Sequence, residues 1–159
     1  MKIDIVAIGK IKESYLREAI GEYTKRLRLY AEISIIECME DKMPENPSDA
    51  DKEKILLKES DKLLKMIKNH SFIIVLDPKG RKMTSEDLAD FISEKALSGR
   101  SHITFVIGGA YGLSSKIKAK ADMMLSFSDF TFTHQMIRVL LLEQVYRAFK
   151  IISNEKYHN

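Results

Sequence analysis

Apolar and polar positions alternate between strand-like and helix-like spacing almost from one end of the chain to the other. Residues 2–8, KIDIVAI, form a short β-rich run that Gly9 ends. Over residues 12–30, apolar side chains recur at Tyr15, Leu16, Ala19, Ile20, Tyr23 and Leu27, the spacing of an amphipathic helix. Residues 32–38, EISIIEC, alternate as a strand does. The acidic stretch 39–51 holds Pro44 and Pro47 and predicts an exposed loop. A second helix is expected over 50–68, with Ile55, Leu56, Leu63, Leu64 and Ile67 inward. Residues 72–76, FIIVL, are apolar throughout, as a strand covered on both faces must be, and Asp77-Pro78-Lys79-Gly80 then turns the chain. Thr84 and Asp87 have the spacing of a capping box, Leu88, Phe91 and Ile92 give the next helix its inner face, and Gly99 stops it. Another buried strand, 102–107, runs into Gly108-Gly109-Ala110-Tyr111-Gly112. A short helical piece and a fifth strand at 123–127 lead to a polar-aromatic loop, and one long helix spans about 134–152.

About five strands alternating with about five helices predict an α/β fold, a mostly parallel sheet flanked by helices. Ligands in such folds bind beyond the carboxyl ends of the strands. Three segments fall there: Leu76-Asp77-Pro78, the glycine loop at Gly108, and the loop 127–133. The glycine loop is not a Rossmann fingerprint, because the first strand leads only to Gly9-Lys10-Ile11-Lys12 and the glycines follow the fourth. No P-loop sequence occurs. Glycine still lets backbone approach a ligand closely, and it can equally be a simple turn-maker. Asp77 would suit a phosphoacceptor domain, but Gly9-Lys10 stands where the paired acids of such a site should be. No nucleophile motif accompanies His70 or His102, which read as surface or edge histidines, and Met123 and Met124 read as packing residues.

Composition narrows the class. At 159 residues the chain is expected to be one domain over 1–159, and 45% hydrophobic with 31% charged residues is a globular balance. No apolar run reaches membrane-spanning length, and the N-terminus lacks the features of a signal peptide. The lone Cys38 excludes an intramolecular disulfide and a cysteine metal cluster, so a cytoplasmic location is expected. A net charge of +3 permits an anionic partner without demanding one.

The last helix says more. Glu143, Arg147 and Lys150 share one stripe at i, i+4, i+7, and most of the remaining circumference is apolar. That excess predicts burial on two sides, against the sheet and against something else, most simply a second copy of the chain. The Glu143–Arg147 pair alone reads equally well as a surface salt bridge.

The stretch Phe105-Val106-Ile107-Gly108-Gly109-Ala110-Tyr111-Gly112-Leu113 is followed by Leu125-Ser126-Phe127-Ser128 and by Thr131-Phe132-Thr133-His134-Gln135-Met136-Ile137-Arg138. Glu143-Gln144-Val145-Tyr146-Arg147-Ala148 comes next, and Tyr157-His158 stands at the tail. In order, spacing and tail the sequence resembles the RlmH family, SPOUT-class methyltransferases of the large-subunit ribosomal RNA, from Val6-Ala7-Ile8-Gly9-Lys10 onward. The resemblance implies a SPOUT (α/β knot) fold with a C-terminal trefoil knot, a feature no periodicity reveals. It also implies a homodimer and no metal. S-adenosylmethionine would be held by Leu76, Gly108, Phe127, Ser128, Asp129, Phe130, Thr131 and Phe132. The implied substrate is a pseudouridine in helix 69 of the 23S rRNA within the ribosome, methylated at N3. That imide must lose its proton to attack, helped by a base or a nearby positive charge. Arg147 suits the charge with Glu143 orienting it; His158 is a base or RNA contact, and Tyr157 is placed to stack on a base. Either Glu143 or His158 takes the proton.

The sequence departs from the family pattern twice. Thr133 replaces a usual proline and is available as a helix cap, and Asp129-Phe130 replaces a common Lys-Met, reversing a charge near the cofactor. Two other readings stay compatible with the sequence: a cofactor-binding ribosome or RNA partner with little turnover, and a SPOUT methyltransferase of transfer RNA.

Overall fold

The computed structural model describes residues 1–157. Five strands alternate with helices: β1 (Lys2–Ile8), α1 (Ser14–Leu27), β2 (Glu32–Cys38), α2 (Asp49–Met66), β3 (Phe72–Lys82), α3 (Ser85–Leu97), β4 (His102–Ile107), α4 (Ser115–Lys118), β5 (Met123–Ser126) and α5 (Met136–Ile152). The strands form one sheet in the order β2-β1-β4-β3-β5, and every pairing is parallel. Strand alternation sorts the side chains onto two faces. Ile3, Ile5 and Ala7 of β1 join Ile103, Phe105 and Ile107 of β4 under α1, α3 and α5. Val6 and Ile8 pack with Val106, Leu63 of α2 and Ile117 of α4 on the other face. Both faces of the central strands are covered, which is why they read as apolar runs.

The expected capping box holds at α3, where the Thr84 hydroxyl accepts the Asp87 N–H and the Asp87 carboxylate accepts the Thr84 N–H. A second box, Ser48 with Asp51, starts α2. Gly99, at φ +76°, ends the α3 segment as predicted. β5 is one residue shorter than expected, and α5 begins two residues later than expected.

β3 differs more. Asp77-Pro78-Lys79-Gly80 does not end the strand but bulges out of it: Leu76 and Arg81 both pair with Leu125 of β5, and the strand resumes through Lys82. The Asp77 carboxylate accepts the Lys79 N–H at 2.8 Å, a local turn that makes the excursion self-contained. Gly80 closes it against backbone, since a Cβ there would lie 2.6 Å from the Leu125 nitrogen.

α5 is the other difference. Ile137, Leu141, Leu142, Val145, Ala148 and Phe149 are all buried in the core shared with α1 and α3. The second side that its apolar excess demands is therefore supplied largely within the chain, and a partner copy is not needed to account for it. His102 likewise is more than an edge residue, because its Nε2 lies 2.8 Å from the carboxylate of buried Asp4.

Candidate functional site

A cleft of about 270 Å³ opens beyond the carboxyl ends of β4, β3 and β5. One wall is Leu76, Asp77 and Pro78 at the β3 bulge, another is the glycine loop from Gly108 to Gly112, and a third is the loop after β5. Gly108 cannot be replaced without rebuilding this loop, since a Cβ would sit 2.4 Å from the Gly112 carbonyl oxygen. Gly112, at φ +80°, makes the turn that brings that carbonyl back. Leu76, Ile107, Leu125, Phe127, Phe130, Phe132 and Ile137 are the large apolar residues of the lining, the glycine loop contributes Gly108, Gly109 and Gly112, and Asp77, Ser128, Thr131 and His134 are its polar residues. Burial pushes the Asp77 carboxyl up, but the Lys118 ammonium at 2.6 Å and the Lys79 N–H outweigh it and hold the group below its ordinary value.

Residues 127–135 carry the chain from β5 at one edge back across the ends of β3 and β4 to the end of β1. There it is fastened. The Gln135 side chain accepts the Lys12 N–H at 2.8 Å, and the His134 ring packs on Gly9. Arg138, fully buried, donates to the carbonyls of Ile8 at 2.7 Å and Gly9 at 2.8 Å and to Glu37 at 2.9 Å. Thr133 caps the segment, its hydroxyl accepting the Met136 N–H at 3.2 Å.

Of the residues expected to hold a cofactor, Leu76, Gly108, Phe127, Ser128, Phe130, Thr131 and Phe132 line this cleft. Asp129 does not; it points outward to Lys82 at 2.6 Å, so the reversed charge is neutralised at the rim.

Glu143, Arg147 and Tyr157 come together farther along α5. The Glu143 carboxylate accepts from Arg147 Nε at 3.0 Å and Nη2 at 2.5 Å, and from the Tyr157 hydroxyl at 3.3 Å. Its second oxygen accepts from Gln144, which is itself held by Ser85 of α3. The Arg147 guanidinium lies 4.8 Å from the centre of the Tyr157 ring, and Tyr146 packs edge-on against the same ring. Burial, reinforced by a hydrogen bond with Tyr23 and the Glu143 charge, pushes the Tyr157 phenol up to about 12. Glu143 raises Arg147 still further above its ordinary value, so the guanidinium keeps its charge. His158, the other tail residue expected at the site, lies outside the described residues.

A second cleft, of about 380 Å³, lies between the start of α3 and α5; Glu143 and Gln144 line it, and it shares Leu125, Phe127 and Phe132 with the first. Within one chain the ion-pair cluster is thus separated from the first cleft by aromatic residues. Ile137 reaches the first cleft, and Arg147, ten residues on, stands roughly 15 Å farther along the helix axis.

Two functional-looking residues escaped the sequence reading, His134 and Arg138. Their signal was present: Arg138 falls on the same helical face as Leu141, Leu142 and Val145, and an arginine inside an apolar stripe has to find buried acceptors.

The profile of the family described as "Predicted SPOUT methyltransferase" matches residues 1–158. A protein of Halothermothrix orenii named "Ribosomal RNA large subunit methyltransferase H" is 54% identical over 158 residues, covering 99% of both chains. Its namesake in Carboxydothermus hydrogenoformans is 52% identical with the same coverage. Among solved structures, a probable methylase family protein from Haemophilus influenzae Rd KW20 superposes with a TM-score of 0.53 at 17% identity, covering 99% of this chain and 70% of that one. At that identity it supports the fold alone.

Proposed function

The chain belongs to the SPOUT methyltransferases, among the ribosomal RNA large subunit methyltransferase H proteins, and on that premise we propose that it methylates N3 of a pseudouridine in helix 69 of the 23S rRNA, using S-adenosylmethionine. The observation that carries the reading is the composition of the cleft at the strand ends. Apolar side chains and the exposed backbone of the glycine loop can grip a flat adenine and a thioether chain, while nothing in the lining resembles a phosphate cradle. Gly108 lets the loop fold tightly back on Gly112, and that folded loop lines the cleft. Leu76 and Phe127 supply apolar surface, and Ser128, Phe130, Thr131 and Phe132 add to the lining.

S-adenosylmethionine, when bound, supplies an electrophilic methyl group on a sulfonium. The chain's own task is to bring the N3 nitrogen into line and to favour its deprotonated form. Arg147 does the second by charge: held by Glu143, its guanidinium lowers the cost of the imide anion beside it. Tyr157, protonated at neutral pH, is a hydrogen-bond donor and a ring surface on which a base can stack, not a base catalyst. Proton acceptance falls to Glu143 or to His158.

The separation of this cluster from the cleft along α5 supports a homodimer, in which the cluster of one protomer faces the cleft of its partner. The return of the chain from β5 across the sheet to the end of β1 supports a C-terminal trefoil knot.

The reading is tested with purified protein, labelled S-adenosylmethionine and ribosomes from a strain lacking this enzyme, followed by nucleoside mass spectrometry. Label is expected as 3-methylpseudouridine in large-subunit RNA. Arg147→Ala should lower turnover by ~100-fold while cofactor affinity changes by less than about twofold. Absence of label on ribosomes, subunits and transfer RNA, with cofactor binding intact, would replace the enzyme by a cofactor-binding partner of the ribosome.

A further inference from the structure

We propose that His134 forms the β1-side wall of the cofactor cleft as a ring that must stay uncharged for a sulfonium ligand to bind, and that Arg138 is the positioning residue that holds it there. The inference rests on the reading of the cleft as an S-adenosylmethionine site.

The geometry begins with Arg138. It stands in the first turn of α5, where a cation opposes the helix dipole, and its side chain is wholly withdrawn from water. Both circumstances are unfavourable for a guanidinium, so its position needs specific acceptors. They are the carbonyls of Ile8 and Gly9, where β1 ends, and the Glu37 carboxylate near the end of β2. Glu37 also accepts the Ile11 N–H at 2.9 Å, so one carboxylate ties the segment after β1 to the helix that follows the cleft loop. Arg138 Nε has no partner among the described residues, a further sign that the side chain is placed for its fork and not for full satisfaction.

His134 lies four residues before Arg138, in the turn that leads into α5, and lines the cleft. The clamp presses its ring onto Gly9, whose φ is +83° and where a Cβ would lie 2.8 Å from Nε2. The ring is therefore fixed from below by Gly9, with Gln135 tied to Lys12 alongside it. Charges face it from three segments: Arg138 in the first turn of α5, Lys12 after β1 and Glu40 after β2. Asp77 lines the opposite wall but is paired with Lys118. Burial first, then the Arg138 charge, depresses the imidazole below its ordinary value, and Lys12 adds to this while Glu40 opposes it. At neutral pH the wall is a neutral donor-acceptor ring. Below the depressed value it becomes a cation facing a cationic ligand, and binding must weaken as pH falls.

The sulfonium allows a direct test, because S-adenosylhomocysteine is the same ligand with a neutral thioether. Dissociation constants for both are measured by calorimetry from about pH 7 to about pH 5, with circular dichroism confirming the fold at each point. Affinity for S-adenosylmethionine should fall ~3-fold more than affinity for the thioether, and His134→Gln should remove the difference. Arg138→Gln, which deletes the charge, should move the acid limb to higher pH, whereas Arg138→Lys should leave its pH unchanged and weaken both ligands. If Arg138→Gln does not fold, NMR titration of the His134 ring in the unaltered protein, assigned by its loss in His134→Gln, gives the same answer. Its midpoint should be lower in the S-adenosylmethionine complex than in the thioether complex. Parallel pH profiles for the two ligands, or equal midpoints, overturn the proposal. Failure to bind either ligand at any pH would instead overturn the cofactor reading on which it rests.

Discussion

At the scale of single residues, Tyr157 shows how position changes a familiar side chain. Its ring is half-buried against Tyr146 and its phenol donates to Glu143, and both circumstances disfavour the phenolate, pushing the group up to about 12. Tyr157 is one of six tyrosines. The tyrosinate absorbance missing from Tyr157→Phe, relative to the unaltered chain, should appear only near pH 12. A difference emerging near the ordinary tyrosine value would mean the ring is not held as described. The same substitution should slow methyl transfer by ~10-fold through looser placement of Glu143, with cofactor affinity retained. Much at this scale was legible beforehand. Glu143 and Arg147 had the spacing to pair, and Thr133 had the chemistry to cap. Asp129 was not legible as a rim residue, because its partner Lys82 is 47 positions away and reaches it only once β3 continues past its bulge. Arg138 and His134 were obscured for a similar reason: their partners are set by the meeting of α5 with the end of β1, which sequence spacing does not contain.

At the scale of elements, period and punctuation read well wherever one principle acted alone. β1 and β2 have the bounds expected from their apolar alternation, and α3 starts where its capping box says. β3 was misread because Asp-Pro-Lys-Gly is turn chemistry in any local reading. Pairing with β5 on the far side of the bulge overrides it. Gly80 is the hinge of that outcome. A Cβ there would meet the backbone of Met124 and Leu125 at 2.6 Å, and backbone in a paired strand cannot step aside as a flexible side chain can. Gly80→Ala is therefore expected to cost roughly 2–4 kcal/mol of stability, read from denaturant midpoints at unchanged slope. It should also weaken cofactor binding, because Asp77 and Pro78 on one side of the bulge and Leu125 on the other all line the cleft. A stable Gly80→Ala protein with normal binding would show that β5 can shift without disturbing the site. α5 carries a related lesson: its broad apolar surface correctly signalled burial on two sides, but α1 and α3 cover it within the chain.

At the scale of the whole molecule, the open question is how the two halves of the proposed site meet. Ile137, which lines the cleft, and Arg147 lie on one helix, roughly 15 Å apart along its axis. Phe127 and Phe132 stand between that cleft and the neighbouring one lined by Glu143. A two-fold dimer resolves this if each cleft receives its cluster from the partner. Mixing two inactive variants distinguishes the arrangements. Thr131→Trp, at an exposed loop position lining the cleft, should block cofactor entry, and Arg147→Ala should lower turnover ~100-fold. Subunits exchanged at equal concentration form half mixed dimers. Each mixed dimer then holds one intact pairing, the open cleft of the Arg147→Ala chain with the Arg147 of the Thr131→Trp chain. Activity should return to about a quarter of the unmodified level. If cleft and cluster act within one chain, every site in the mixture carries a defect and activity stays near zero. That outcome would require the tail after α5, or the substrate itself, to span the distance that the helix sets.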